Sequence, residues 1–230
     1  MNAHYTYFLV LAAALAGPLA LSFDKKVAFY KSWKYVFPAM IIPAILYIGW
    51  DIFFTSVGVW SFNENYITGF HLVNLPIEEV LFFFVVPYCC LFIYACIRTY
   101  FPKLQPGSFT KASWWVLAVS LVGIGIFFYQ RYYTSWAFFF CGLFMVTISA
   151  APKWFPGLNR TAFFVSYLLI LIPFLFVNGV LTSLPVVLYN DAENLGIRIY
   201  TIPFEDVFYG MLLILMNVTI YERLKVASPK

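Results

Sequence analysis

Two short runs hold the residues best suited to chemistry. Pro76-Ile77-Glu78-Glu79-Val80-Leu81-Phe82 recurs as Pro203-Phe204-Glu205-Asp206-Val207-Phe208-Tyr209. Each run sets two adjacent carboxyl groups behind a proline, with an aromatic ring one turn later. Proline suits the first turn of a helix, where its missing N–H costs nothing. Acids there are favoured by the helix dipole. A helix-start charge would by itself explain one such run. Two copies, each leading into a long apolar segment, call for more, because carboxylates near hydrocarbon are costly and mark functional sites.

Adjacent residues point about 100° apart on a helix of 3.6 residues per turn. Only one acid of each pair can therefore face a cavity squarely. Glu78 and Glu205 are identical between the runs and are the expected inward pair. Glu79 and Asp206 are expected to support them or to face water. Phe82 and Tyr209 follow Glu78 and Glu205 by four residues, on the same helix face. An acid beside an electron-rich ring suits chemistry that makes and stabilises a carbocation. Desolvation favours the neutral form of a carboxylic acid. Two acids in one dry site can then divide the donor and acceptor roles.

The elements that must hold these residues are read from composition. Of 230 residues, 63% are hydrophobic and 10% charged, against roughly 25% charged in a soluble domain. About 20 apolar residues cross a bilayer as a helix. Seven stretches qualify, at about 5–23, 36–54, 76–97, 113–130, 133–150, 162–180 and 203–221. The first lacks a preceding basic region and is expected to be a retained helix. The prediction is an all-α membrane protein with about seven spanning helices.

Basic residues favour cytoplasmic loops. Twelve of the fourteen, from Lys25 to Lys230, fall on one side, leaving Arg131 and Arg198 on the other. The N-terminus is accordingly expected outside and the C-terminus in the cytoplasm. Asp51, both acid pairs, Glu64, Asp191 and Glu193 fall on the outer side, so chemistry is expected there. This asymmetry explains the net charge of +4 without a nucleic-acid partner. Cys89, Cys90, Cys96 and Cys141 show no metal-ligand or disulfide spacing and are expected to pack. His71 is expected at the surface. Trp50, Trp60, Trp114, Trp115 and Trp136 near helix ends read as interface anchors, with Trp60 set apart by its place in the loop between helices two and three. No dinucleotide fingerprint or Asp-rich diphosphate motif is present, so no cofactor and no metal are expected.

The chain repeats at an offset of 127 residues. Thr55-Ser56 matches Thr182-Ser183, Asn63 matches Asn190, Gly69 matches Gly196, and Ile93-Tyr94 matches Ile220-Tyr221. Helices one to three thus correspond to five to seven, with helix four as linker. The divisions are 1–104, 105–131 and 132–230. One helix between two three-helix units makes the repeats parallel, related by a pseudo-two-fold axis along the membrane normal.

The doubled motif, with Asp51, Trp60, Asn63 and Gly69 upstream, resembles the membrane lycopene cyclases of bacteria and fungi, in the form that fuses two small related units. The resemblance covers nearly the whole chain. It implies an inner-membrane enzyme whose partner is lycopene or a related linear carotenoid, in contact with the bilayer and with other carotenoid-synthesis enzymes. The implied reaction closes linear ends into rings, of β-ionone type, by protonation, ring closure and deprotonation. It implies Glu78, Glu79, Glu205 and Asp206 as catalytic, and Phe82, Tyr209, Trp60 and Asp51 as substrate-binding. The second half departs at Asn178, where the first has Asp51, and at Val187, where it has Trp60. The rival reading is a small-molecule carrier of three-plus-one-plus-three helices. A retinal protein is disfavoured, because no lysine lies inside helix seven.

Overall fold

A computed structural model describes residues 3–104 and 108–228. Lys230, and the start of the predicted linker at 105–107, lie outside the described residues. Seven α-helices run through the described chain: α1 Thr6–Leu21, α2 Trp33–Ser56, α3 Ile77–Tyr100, α4 Ser108–Phe127, α5 Tyr132–Ala150, α6 Arg160–Ser183 and α7 Asp206–Ala227. Six of these segments are long and apolar enough to cross a membrane, and α4 contributes a shorter apolar stretch, Lys111–Phe127. Prolines lie inside α1, α2, α3 and α6; the Ala14 carbonyl, freed by Pro18, accepts from the Cys89 thiol of α3 at 3.5 Å, as neighbouring helices can do for such groups in membranes.

The packing is reciprocal. α2 of the first unit lies on α7 of the second, and α6 of the second lies on α3 of the first. Within the units, α1 packs on α3 as α5 packs on α7. α4 stands apart and packs on α5, where two glycines permit close approach. A Cβ at Gly142 would come within 2.6 Å of the Ala118 carbonyl, and one at Gly125 within 2.6 Å of the Phe139 amide.

The loops hold short strands that the sequence reading did not anticipate: β1 Trp60–Phe62, β2 His71–Leu72, β3 Leu75–Pro76, β4 Val187–Tyr189, β5 Arg198–Ile199 and β6 Ile202–Pro203. β2–β3 and β5–β6 are hairpins at the same offset of 127. Each turns on a residue of positive φ, Val73 (62°) and Tyr200 (60°), and each is preceded by a left-handed glycine, Gly69 or Gly196. A β-branched or bulky residue at positive φ is strained, and both halves carry one in the hairpin that precedes the acid pair.

β1 and β4 pair antiparallel, Trp60 opposite Tyr189 and Phe62 opposite Val187, with Ser61 facing Leu188 at the centre. Trp60 and Val187 are repeat equivalents, as are Phe62 and Tyr189. The register is therefore the one a two-fold axis through Ser61 and Leu188 requires. Flanking bonds repeat it: the Asn63 amide donates to the Val186 carbonyl and the Asn190 amide to the Val59 carbonyl, each at 2.9 Å.

Arg131 and Arg198 lie at the ribbon end, while the opposite end carries most of the basic residues. There Lys26 lies 3.9 Å from the centre of the Tyr100 ring, and Arg98 meets Glu222 at 3.7 Å. Two of the predicted interface tryptophans are interior instead. Trp114 is fully buried and donates to the Met145 carbonyl, and Trp60 is buried under the ribbon. Helix packing claims the Trp114 ring, and the aromatic cluster of Phe54, Tyr133, Tyr189 and Tyr209 claims Trp60, before lipid can.

Candidate functional site

Both acid pairs lie where their helices begin, beneath the β1–β4 ribbon, but the inward members are not those the sequence suggested. Pro76 is the residue before α3, so Glu78 and Glu79 occupy its second and third positions. Glu79 and Asp206 line a cleft on the pseudo-symmetry axis; Glu78 and Glu205 do not. The expectation that Glu78 and Glu205 face inward is overturned. Both are fully buried and serve the loops. A Glu78 oxygen accepts the Thr68 amide at 2.7 Å. A Glu205 oxygen accepts the equivalent Leu195 amide at 2.7 Å and the Thr134 hydroxyl at 2.6 Å. The physical reason is the left-handed glycine that follows each amide. It turns the loop back over the helix start, so the neighbouring N–H finds the first acid and the next residue, about 100° round the helix, takes the cleft.

The cleft brings together Asp51, Glu79 and Asp206, with Trp60, Phe82 and Tyr209 around them. Each carboxyl accepts from a phenol. Tyr7 donates to Glu79 at 2.5 Å. Tyr209 donates to Asp51, and Tyr133 to Asp206. Asp206 has two further donors, Tyr189 at 3.0 Å and the Asn178 amide at 3.3 Å. Burial, and then the charge of Asp206 beside it, pushes the Tyr189 phenol well above its ordinary pKa, so it remains an O–H donor. At the exposed rim, Asp191 is held below the usual carboxylate range by its hydrogen bond from Arg198.

The two halves of the cleft are unequal for one stated reason. Tyr209 and Asp51 are joined across the α2–α7 contact. Their repeat equivalents, Phe82 and Asn178, cannot form that bond because Phe82 has no hydroxyl. Asn178 turns to Asp206 instead. One half thus offers two carboxyl groups, Asp51 and Glu79. The other offers one, Asp206, surrounded by three donors.

Aromatic rings close the cleft. Trp60 lies 5.2 Å from Tyr133 and 6.0 Å from both Tyr189 and Tyr209. Tyr133 stacks on Tyr189 at 5.8 Å. About 40 Å³ of free space remains, room for about one water. Among the described residues no cluster of three metal-ligating side chains occurs.

Sequence reasoning missed Tyr7, Tyr133 and Tyr189. A signal for the first two existed. Tyr7 and Tyr133 are equivalents at an offset of 126, one short of the offset that aligns the later helices. His71, expected at the surface, is exposed and lies 3.4 Å from Glu64.

The fold and the site define a duplicated helical membrane protein with buried carboxyl groups in an aromatic-lined cleft between its two repeats. The family described as Lycopene cyclase matches this chain twice, at residues 4–97 and 130–224. The chain belongs to the lycopene cyclase family. A bifunctional lycopene cyclase/phytoene synthase of Phaeosphaeria nodorum is 32% identical to it over 59 residues. That alignment spans 26% of this chain and 10% of the relative's length. No solved structure matches.

Proposed function

We propose that this protein is a carotenoid end-group cyclase acting on lycopene or a related linear carotenoid. The observation that carries the reading is the cleft itself, with three carboxyl groups, each accepting from a phenol, in an aromatic chamber that excludes bulk water. Family membership supports the substrate class.

Glu79, bonded by one phenol, is the proton donor. Its proton goes to the terminal double bond of the chain and leaves a tertiary carbocation. The next double bond attacks that cation and closes the six-membered ring, moving the positive charge into the ring. Asp206 accepts the proton lost from the adjacent ring carbon, and a new ring double bond forms. The product is an isomer of the substrate, with no net redox change. Return of the proton from Asp206 to Glu79 resets the site. Tyr133, Tyr189 and the Asn178 amide surround Asp206 with donors, the environment of a carboxylate ready to accept. The faces of Trp60, Tyr133 and Tyr209 stabilise the cation. Asp51 holds Tyr209 in place through its hydroxyl, and Phe82 packs against the substrate end. Which proton is removed sets the ring type; we assign the β-ionone product to Asp206 as base.

The division at 1–104, 105–131 and 132–230, the inner-membrane location, the outer position of the cleft and contact with other carotenoid-synthesis enzymes belong to the same reading. Expression in a bacterium that accumulates lycopene tests it. Ringed carotenoid is the expected product. Unchanged lycopene, with the protein present in the membrane at normal abundance, would overturn it.

A further inference from the structure

Two apolar grooves flank the acid cleft and are related by the repeat. One, of about 450 Å³, lies between α1 and α6 over α3; the other, of about 540 Å³, lies between α5 and α2 over α7. Among the described residues the first shares a wall with the cleft, the Phe174 ring, and the second shares none. Along α3 the cleft residues Glu79 and Phe82 are followed on the same face by Val86, Cys90 and Ile93 of the groove. Along α1, Tyr7 is followed by Val10, Ala14 and Pro18. On α6, running the opposite way, Asn178 faces the cleft, Phe174 faces both spaces and Ile170 faces the groove. At 1.5 Å per residue, the stripe from Phe82 to Ile93 is ~16 Å long.

The partition between groove and cleft is one ring. Phe174 lies against Gly210, where an added Cβ would sit 2.8 Å from the ring tip. Phe174 has no polar atom to anchor it, and Gly210 has no side chain to meet it. The second groove is closed differently. Tyr47, the equivalent of Phe174, donates to the Tyr209 carbonyl at 2.8 Å and packs 4.7 Å from the Tyr209 ring. Phe83, the equivalent of Gly210, is fully buried 5.6 Å from Tyr47. Trp50 adds a further wall, 5.4 Å from Tyr209 and 5.6 Å from Trp136.

We propose that the polyene arm of the substrate lies in the groove between α1, α3 and α6, and that its end enters the acid cleft from the bilayer by displacing Phe174 from Gly210. The occupant is a long apolar polyene whose terminal double bond is the reacting group. Continuity with the acids selects it over an ordinary lipid tail, which has no use for the cleft. The inference rests on the cyclase reading and deepens it, because it makes the protein one-sided despite its symmetry. One end of a carotenoid is treated per binding event.

The test compares the two grooves in lycopene-accumulating cells. Ala13 is exposed and lines the first groove; Leu143 is exposed and lines the second. Ala13→Trp should lower ringed product per membrane-inserted protein roughly tenfold, since a displaced substrate end costs at least that. Leu143→Trp should stay near the unmodified protein. A benzophenone amino acid at exposed Phe176, on the first groove, should yield a carotenoid adduct by mass on illumination, and one at Leu143 should not. Equal effects of the two tryptophans, or adducts at Leu143 alone, would overturn the route. An adduct at Phe176 in cells that make no ring would uphold the groove and sink the cyclase reading instead. Lipid adducts only, at both sites, would mark the groove as an ordinary lipid contact and overturn the proposal.

Discussion

The sharpest consequence of the structure is a reversal within each acid pair. Glu79 lines the cleft and accepts from Tyr7 at 2.5 Å; Glu78, one residue earlier, accepts the Thr68 amide at 2.7 Å and faces the loop. Glu79→Gln keeps size and an acceptor for Tyr7 but has no acidic proton. A positioned general acid contributes ~10²–10⁴-fold, or about 3–5 kcal/mol of barrier at 1.36 kcal/mol per decade. Glu78→Gln retains an oxygen for the Thr68 amide, so its cost falls on the loop and amounts to about 1 kcal/mol of stability. The assay is ringed carotenoid per unit of membrane-inserted protein, with abundance measured separately. The expected pattern is Glu79→Gln inserted but at least about a hundredfold impaired, and Glu78→Gln active in proportion to its abundance. The opposite ranking would refute the assignment of the cleft acids. Impairment that tracks abundance in both variants would reduce Glu78 and Glu79 to helix-start residues.

Other expectations follow from the same geometry. Asp206→Asn should also cost ~10² or more in product per inserted protein, whereas Glu205→Gln should not. Tyr209→Phe leaves the ring in place but removes the bond to Asp51; a fall in ring formation of about fivefold, near 1 kcal/mol, is expected for a neutral hydrogen bond lost from a positioned ring. Trp60→Leu removes a cation-facing ring worth roughly 0.5–2 kcal/mol, read as reduced conversion at unchanged abundance. Gly142→Val forces a side chain into the Ala118 carbonyl and should lower the amount of folded protein in the membrane, leaving activity per surviving molecule unchanged. A cytoplasm-only reporter fused to the C-terminus should be active; activity only from an external reporter would reverse the orientation.

Composition and spacing determined the helical membrane class, the seven helices and the duplication, although only six of those helices are of full spanning length. These depend on local chain chemistry: twenty apolar residues must be helical in lipid whatever surrounds them. The doubled motif also marked the right helix starts, and Asp51, Trp60, Phe82 and Tyr209 are brought to one cleft. Which acid turns inward was not legible. Both members of each pair are compatible with a helix start, and identity between the repeats favoured Glu78 and Glu205, each of which holds a loop amide in the structure. The choice is made by the chain reversal after Gly69 and Gly196, which puts a backbone N–H against the first acid. Tyr7 and Tyr133 reach the acids from helices about 70 residues away in sequence, so their near-equivalence between the repeats was the one sign of them, and Tyr189 had none. The inequality of the two flanking grooves turns on Phe174 meeting Gly210 where Tyr47 meets Phe83, a contact between α6 and α7 matched by one between α2 and α3. Such pairings exist only once the two units are packed, and they are what makes a nearly symmetric sequence into an asymmetric site.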